Sequence, residues 1–389
     1  MTNSLAQDLM LDFAKTTGLA GTVPPRRYLW TDAFAVCNFL AVHRQTGEGR
    51  YLELARRLID QVHEVLGQHR DGDPRQGWIS GLSEEEGRRQ PTAGGLRIGK
   101  SLNERGPDDP FDPRLEWDRD GQYFHYLTKW MHALHSFATH TGEDRYLAWA
   151  RQLAETAHEA FTYEVSGGPM RMVWKMSVDL SRSLVPSMGR HDPLDGLVTF
   201  LELQRSEVSE PNGGPDLTAA IADMDGMCEG GRWVTDDPLG IGGLLDDAAR
   251  LAQLVFQRDV DRHRLLIQLL MESKTSLAAF ADSPLPTFSS ERRLAFRELG
   301  LAIGIHAIEA VRDVFAKQTE LAESVGKLLE YRHLAEQIEA YWSAADSRRS
   351  DAWTQHDDIN TVMLATSLTP EGCVSLEGPA ARSAKQTQN

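Results

Sequence analysis

The sequence predicts an all-α protein in which six helical hairpins close into a ring. Three observations carry this: a helix–turn–helix unit recurs, each end of the chain holds a helix without a neighbouring partner, and strand signals are nearly absent. Residues 46–58 read TGEGRYLELARRL and residues 141–153 read TGEDRYLAWARQL, matching at nine of thirteen positions at an offset of 146 − 51 = 95. The match extends into His63-Glu64 and His158-Glu159.

Each copy follows a helix-length apolar pattern, at 32–45 and 126–140, and runs on as a second helix to about Leu66 and Phe161. Gly47 and Gly142 stand where a helix C-terminus wants a left-handed residue. Tyr51 and Tyr146 open the second helices and are expected to pack back on the first. More degenerate units follow: a first helix at 192–205, the pair 240–257 and 262–281, and the pair 291–317 and 320–345. The first helix, 3–17, has no partner before it, and the last, 357–368, has none after it. Pairing those ends closes the ring and is preferred to an open solenoid of the same hairpins. The first helices, such as GIGGLLDDAARLAQL and ELGLAIGIHAIEAV, are the more apolar and Gly/Ala-rich, which suits an inner layer packed on both sides. The expected domain is 1–369, with 370–389 a small, polar, disordered tail.

The hairpin pattern and the chain length resemble the six-hairpin α/α-barrel superfamily, the (α/α)6 barrels. These include many glycoside hydrolases, unsaturated glucuronyl hydrolases and the N-acylglucosamine 2-epimerases. The TGExRYLxxA turn also looks like the epimerase group, although that group's catalytic histidines do not map here residue by residue. The resemblance implies a fold and a carbohydrate-directed site, without naming the sugar.

Composition narrows the classes. The 389 residues carry a formal charge of −16, from 41 Lys and Arg against 57 Asp and Glu, and no basic face for nucleic acid is evident. Asp8, Asp12 and Lys15 interrupt any apolar run at the start, so no secretory leader is expected, and no stretch reads as a membrane span. Three isolated cysteines, Cys37, Cys228 and Cys373, read as free thiols of a cytoplasmic protein. The partners expected are a small-molecule carbohydrate and, at most, a second copy in a homodimer.

Long connections between hairpins, at 67–121, 162–182 and 206–239, place the working site on one face, over the N-termini of the inner helices. Tryptophans stand beside charged groups there: Trp30 with Asp32, Trp117 with Asp118 and Asp120, Trp174 with Lys175, Trp233 with Asp236 and Asp237, and Trp353 with His356, Asp357 and Asp358. Sugars lay C–H faces on aromatic rings and pair hydroxyls with carboxylates, so this combination reads as a substrate-binding lining. The competing reading is that Asp and Thr merely cap helices and Trp fills the core.

Catalysis is expected from one carboxyl acting as acid and another as base, taken from Asp118 or Asp120 and from Asp192 or Asp195, with His191 and His356 beside them. Asp192, before Pro193, is expected to cap its helix as an anion, and Asp195 to be the raised acid. His125, in EWDRDGQYFHY, and His306, three residues before Glu309, join the substrate-binding set. Lys175, with Asp179 and Arg182, suits an anionic sugar. GGLRIGK (94–100) lacks P-loop spacing. His63-Glu64 and His158-Glu159 belong to the repeat, and neither a metal nor another cofactor is expected. Three functions follow in order: a glycoside hydrolase, a sugar epimerase or isomerase using histidines, and a non-catalytic carbohydrate-binding ring.

Overall fold

The computed structural model describes residues 2–166, 168–206, 213–283 and 288–376. In chain order the helices are α1 (Thr2–Thr16), α2 (Leu29–Thr46), α3 (Gly49–Leu66), α4 (Glu84–Arg89), α5 (Pro113–Glu116), α6 (Phe124–Thr141), α7 (Asp144–Phe161), α8 (Asp192–Gln204) and α9 (Thr218–Cys228). They continue with α10 (Pro238–Gln257), α11 (His263–Ala281), α12 (Ala295–Ala310), α13 (Thr319–Leu329), α14 (Arg332–Ser343), α15 (Ala345–Arg348), α16 (Asp351–Thr354), α17 (Asp357–Leu368) and α18 (Glu371–Val374). Four strands of two or three residues form two antiparallel ribbons: β1 (Gln122–Tyr123) with β4 (Lys175–Met176), and β2 (Thr162–Glu164) with β3 (Met170–Met172). Among the described residues no helix is long and apolar enough to cross a membrane.

The chain divides into two compact units, a central one of residues 15–36 and 52–231 and a terminal one of residues 1–14, 37–51 and 232–389. In the central unit, α7 buries Tyr146, Leu147, Ala150, Leu153, Ala154, Ala157 and Phe161, the 3.6-residue stripe of an amphipathic helix. Helix α6 is buried almost all round, from Phe124 and Leu127 to Phe137 and Ala138, as a helix packed on both sides must be. Gly142 joins the two with φ 74°, donating its N–H to Ala138 O, a conformation that costs a residue with a Cβ.

The 95-residue repeat has a physical reason. Arg56 on α3 donates to Glu143 at 2.6 Å and to the Tyr146 hydroxyl at 3.0 Å, both in the next hairpin. Arg151, 95 positions on, donates to Leu203 O at 2.8 Å and Gly213 O at 2.9 Å, again in the hairpin that follows. His63 accepts from Trp130 Nε1 at 3.2 Å, and its counterpart His158 meets Asp223 on α9 at 2.9 Å. Burial lowers the His63 imidazole to about 3, so it is neutral at ordinary pH and free to accept. The repeated residues are those that dock one hairpin on the next.

In the terminal unit α10 and α12 cross at their glycines: a Cβ on Gly242 would lie 2.0 Å from Gly300 O. Replacing it would force the helices apart. Glu298 is buried and accepts from Arg293 Nε at 2.8 Å and Trp342 Nε1 at 2.9 Å, so its charge is compensated in place. Asn38 ties the chain's two ends, donating to Val362 O of α17 at 3.0 Å and to Met10 Sδ of α1 at 3.4 Å.

Three sequence readings need correction. Residues 206–239 are not all loop: α9 lies within them and packs on α8 as its hairpin partner. The helix expected over 320–345 is two, α13 and α14, broken at Glu330 and Tyr331. The tail does not begin at 370, because α18 forms there and Cys373, Val374 and Leu376 are buried. The rest of that expected tail, 377–389, lies outside the described residues.

Candidate active site

The central unit gathers aromatic rings and ionisable groups at the N-termini of α6 and α8. The run Gln122–Tyr126 turns from strand β1 into α6, which throws Tyr123, His125 and Tyr126 to one end of that helix. Trp117 and Trp174 meet at 5.3 Å between ring centroids with their planes tilted by 32°, and Tyr123 lies 5.1 Å from Trp174. The row continues through Tyr126, 5.0 Å from Tyr123, to Trp30, 6.4 Å farther. Tyr28 joins it by a 2.6 Å hydroxyl–hydroxyl bond with Tyr126. Burial raises Tyr28 to about 12, so its hydroxyl stays neutral. Trp117 is 57% exposed, and Trp174 donates Nε1–H to Ser187 Oγ at 2.9 Å, leaving indole faces for a ligand.

Beside this row lie His125, Lys129, Asp192 and Asp195. Asp195 is held as an anion by Lys129 Nζ at 2.9 Å and by the Thr128 hydroxyl. Asp192 is buried, and its Oδ2 has no hydrogen-bond partner. His125 Nδ1 is 3.9 Å from Asp192 Oδ1. Burial, and then the Asp195 charge, push the Asp192 carboxyl up to about 7, against the pull of Lys129. Enclosure lowers the His125 imidazole to about 4, with the Asp195 charge opposing, although 36% of its side chain meets solvent. Near neutral pH the cluster holds a half-protonated carboxyl, a neutral imidazole and a compensated carboxylate.

This reverses the roles expected of the two aspartates. Asp192 makes no capping bond, because His191 occupies the N-cap position of α8 and Asp192 lies inside the helix. Asp195 is the anchored anion. Sequence reasoning missed Thr128, Lys129 and Tyr28, and counted Tyr123 and Tyr126 only as members of the run EWDRDGQYFHY. Lys129, the sole Asp, Glu, Lys or Arg of α6 and one turn after His125, is the signal that marks it.

Other expected site residues have structural partners. Asp120 is fully buried and accepts from Arg97 at 2.6 Å and from the Gly99 and Gly121 N–H groups at 3.0 and 3.1 Å. It knots the long connection, whereas Asp118 is exposed. Lys175 is buried against Glu116 at 2.8 Å and also donates to Glu116 O and Arg119 O, so it is not offered to an anionic sugar. Asp179 binds Arg75 at 3.0 Å, and Arg182 donates to Arg105 O. Asp32 reaches back to Tyr28 N at 2.9 Å and Arg27 at 3.4 Å.

The remaining candidates belong to the terminal unit. Asp237 caps α10, accepting from Gly240 N and from Arg297 at 2.7 Å, while Asp236 is exposed. Trp233 and Trp353 are buried, and Trp353 Nε1 donates to Asp357 Oδ1 at 2.8 Å. Asp358 is half-buried, and His356 lies 5.6 Å from the Phe296 ring. His306 is held between Glu339 at 2.8 Å and Glu309 at 3.4 Å, and these carboxylates raise it despite burial.

No family model and no curated protein matches the chain. Solved structures do. A sugar epimerase from a ruminal bacterium is 12% identical, with a TM-score of 0.50 over 88% of this chain and 87% of that one. The alpha-1,6-mannanase of Salegentibacter sp. HEL1_6 is 10% identical, with a TM-score of 0.52 over 97% of this chain and all of that one. An inactive variant of that mannanase, solved with alpha-1,6-mannotetrose, gives a TM-score of 0.51 at 10% identity and the same coverage. The fold is thus the all-α (α/α)6 barrel of six-hairpin glycosidase-like proteins.

Proposed function

We propose that this protein is a carbohydrate-active enzyme that cleaves a glycosidic bond with Asp192 as general acid. One observation carries the reading: a buried, uncapped carboxyl raised to about 7 stands beside a row of tryptophan and tyrosine rings. A glycosidic oxygen needs a proton as its C–O bond breaks, and a carboxylic acid with pKa near the working pH is suited to give it. Trp117 and Trp174 offer flat apolar faces for the sugar ring, and burial, then the charge of Asp195, disfavour the Asp192 anion against the pull of Lys129. The likeness to sugar-directed enzymes supports a carbohydrate substrate.

A second reading rests on His125. A neutral imidazole 3.9 Å from a carboxylic acid can take a proton from the carbon next to a sugar carbonyl while the acid protonates the oxygen. That is the chemistry of an epimerase. Both readings are tested on one panel of α-1,6- and β-1,4-linked manno- and gluco-oligosaccharides in D2O. New reducing ends without deuterium at C2 support cleavage, and deuterium at C2 with an epimeric product supports the second reading. Asp192→Asn retaining full activity, or no oligosaccharide binding at all, would overturn the proposal.

A further inference from the structure

Two turns along α6 from His125 lies a second cluster that the proposed chemistry does not use. His132 and His135 are three residues apart and therefore on one face of α6, opposite Glu202 of α8. All three are buried, with exposures of 6%, 4% and 1%. Their ligand atoms lie within 4.8 Å of one another. His132 Nδ1 is 2.8 Å and His135 Nδ1 2.5 Å from the same atom, Glu202 Oε1.

The hydrogen-bond network fixes one tautomer. Ser206 Oγ has a single proton and donates it to Glu202 O at 2.8 Å. It therefore accepts from His135 Nε2–H, 2.7 Å away. A neutral His135 then leaves Nδ1 without a proton 2.5 Å from Glu202 Oε1, where it makes no hydrogen bond. An unprotonated nitrogen and a carboxylate oxygen cannot lie so close in a buried site without a cation shared between them. An extra proton on His135 is one remedy. A metal ion is the other, and His132 Nδ1, 2.8 Å from the same oxygen, is placed to join it as a ligand.

We propose that His132, His135 and Glu202 form a divalent transition-metal site, of the nitrogen–oxygen donor type that zinc fills, joining α6 to α8. The donor set is two imidazoles and a carboxylate, and Ser206 orients His135 through its second nitrogen as partners of metal-bound imidazoles do. Ligand bonds of about 2.0–2.1 Å in a tetrahedron set the donors about 3.3 Å apart, so the site closes around the ion by small side-chain rotations. The inference is independent of the cleavage reading, because none of these residues belongs to the Asp192 cluster.

The test uses the whole protein, stripped by chelation and checked for retained helix by circular dichroism. Zn(II) alone is titrated in, followed by calorimetry and thermal melting, and Co(II) is used as a spectroscopic probe. Expected are one Zn(II) per chain, a melting temperature that rises with free Zn(II), and a Co(II) visible spectrum of four- or five-coordinate type. Glu202→Gln and His135→Gln should weaken binding at least tenfold, while Asp192→Asn should leave it unchanged. An octahedral, solvent-like Co(II) spectrum in the wild type, or equal Zn(II) uptake by the variants, would overturn the site and leave a protonated His135–Glu202 pair. The Co(II) arm reads the wild type alone, so a variant that fails to fold does not blunt the test.

Discussion

Two helices of this protein start with the same tripeptide, and their aspartates do opposite things. Helix α8 begins at Asp192 of Asp192-Pro193-Leu194, and α10 begins at Pro238 of Asp237-Pro238-Leu239. In α10 the first helical bond runs from Ile241 N to Asp237 O, so Asp237 is the N-cap and its carboxylate accepts from Gly240 N at 3.3 Å. In α8 the first bond runs from Asp195 N to His191 O, so the helix starts one residue sooner and Asp192 is carried inside it. A single residue of register thus separates a side chain that accepts from a backbone N–H from a buried carboxyl with no donor on Oδ2. The helix dipole favours charge at both places, but by about 0.3–1 kcal/mol. The rise of Asp192 from 3.8 to about 7 corresponds to about 4 kcal/mol against the anion, so burial and Asp195 prevail.

The largest expected effect is on turnover. Asp192→Asn should lower kcat/KM by at least about 100-fold, the usual range for losing a general acid, while melting no lower than the wild type near neutral pH. Asp237→Asn should leave kcat/KM unchanged. Equal losses in both, measured on the same oligosaccharide, would erase the distinction between the two starts.

Stability against pH sharpens it. Asp192 binds its proton more tightly folded than unfolded, so its contribution is complete below about 3.8 and is lost as pH rises to about 7, at up to about 1.4 kcal/mol per unit. His125 works in the opposite sense. Its folded value of about 4 lies below its unfolded 6.5, so stability rises with pH between those values, less steeply because a third of the side chain is in solvent. The two slopes oppose each other in the wild type. Denaturant titrations at pH 4.5 and 6.5 should show Asp192→Asn gaining stability with pH and His125→Gln losing it. Parallel profiles would mean that neither group is perturbed.

How far the sequence revealed these differences can be read from particular residues. Hairpins were legible because their contacts are local and repeated: Arg56 and Arg151, or His63 and His158, leave the same trace 95 residues apart. Helix α9 was missed because Gly226 and two aspartates weaken its amphipathic stripe, and its apolar face is fixed by α8 rather than by its own pattern. At the site, aromatic residues beside acids pointed to the α6 and α8 starts. Which acid is free was hidden, since it depends on where α8 begins and on Lys129 reaching Asp195, one contact across 66 residues. Asp120 and Lys175 looked equally chemical in sequence, and only their buried partners Arg97 and Glu116 mark them as structural.

A smaller effect is expected from Asp195→Asn. Asp195 is the second cause of the Asp192 rise, after burial. Removing its charge should let Asp192 ionise at lower pH and leave Lys129 to draw it down further. The alkaline limb of the kcat/KM profile should therefore move to lower pH, with activity at pH 5 retained. A limb that stays in place would show that burial alone sets the acid.

The smallest effects fall on Asp237, and they separate two contributions at one side chain. Asp237→Ala removes the capping acceptor and the ion pair with Arg297, and should cost about 1 kcal/mol by thermal or urea unfolding. Asp237→Asn keeps an acceptor for Gly240 N–H and loses only the ion pair. That pair is 36% and 42% exposed on its two sides, where such bridges contribute a few tenths of a kcal/mol and salt screens them. The Asn variant should therefore lie within about 0.5 kcal/mol of wild type, and the gap should shrink in 0.5 M NaCl. If Asn proves as costly as Ala, the carboxylate charge outweighs the capping bond, and Asp237 is held by Arg297 rather than by its helix.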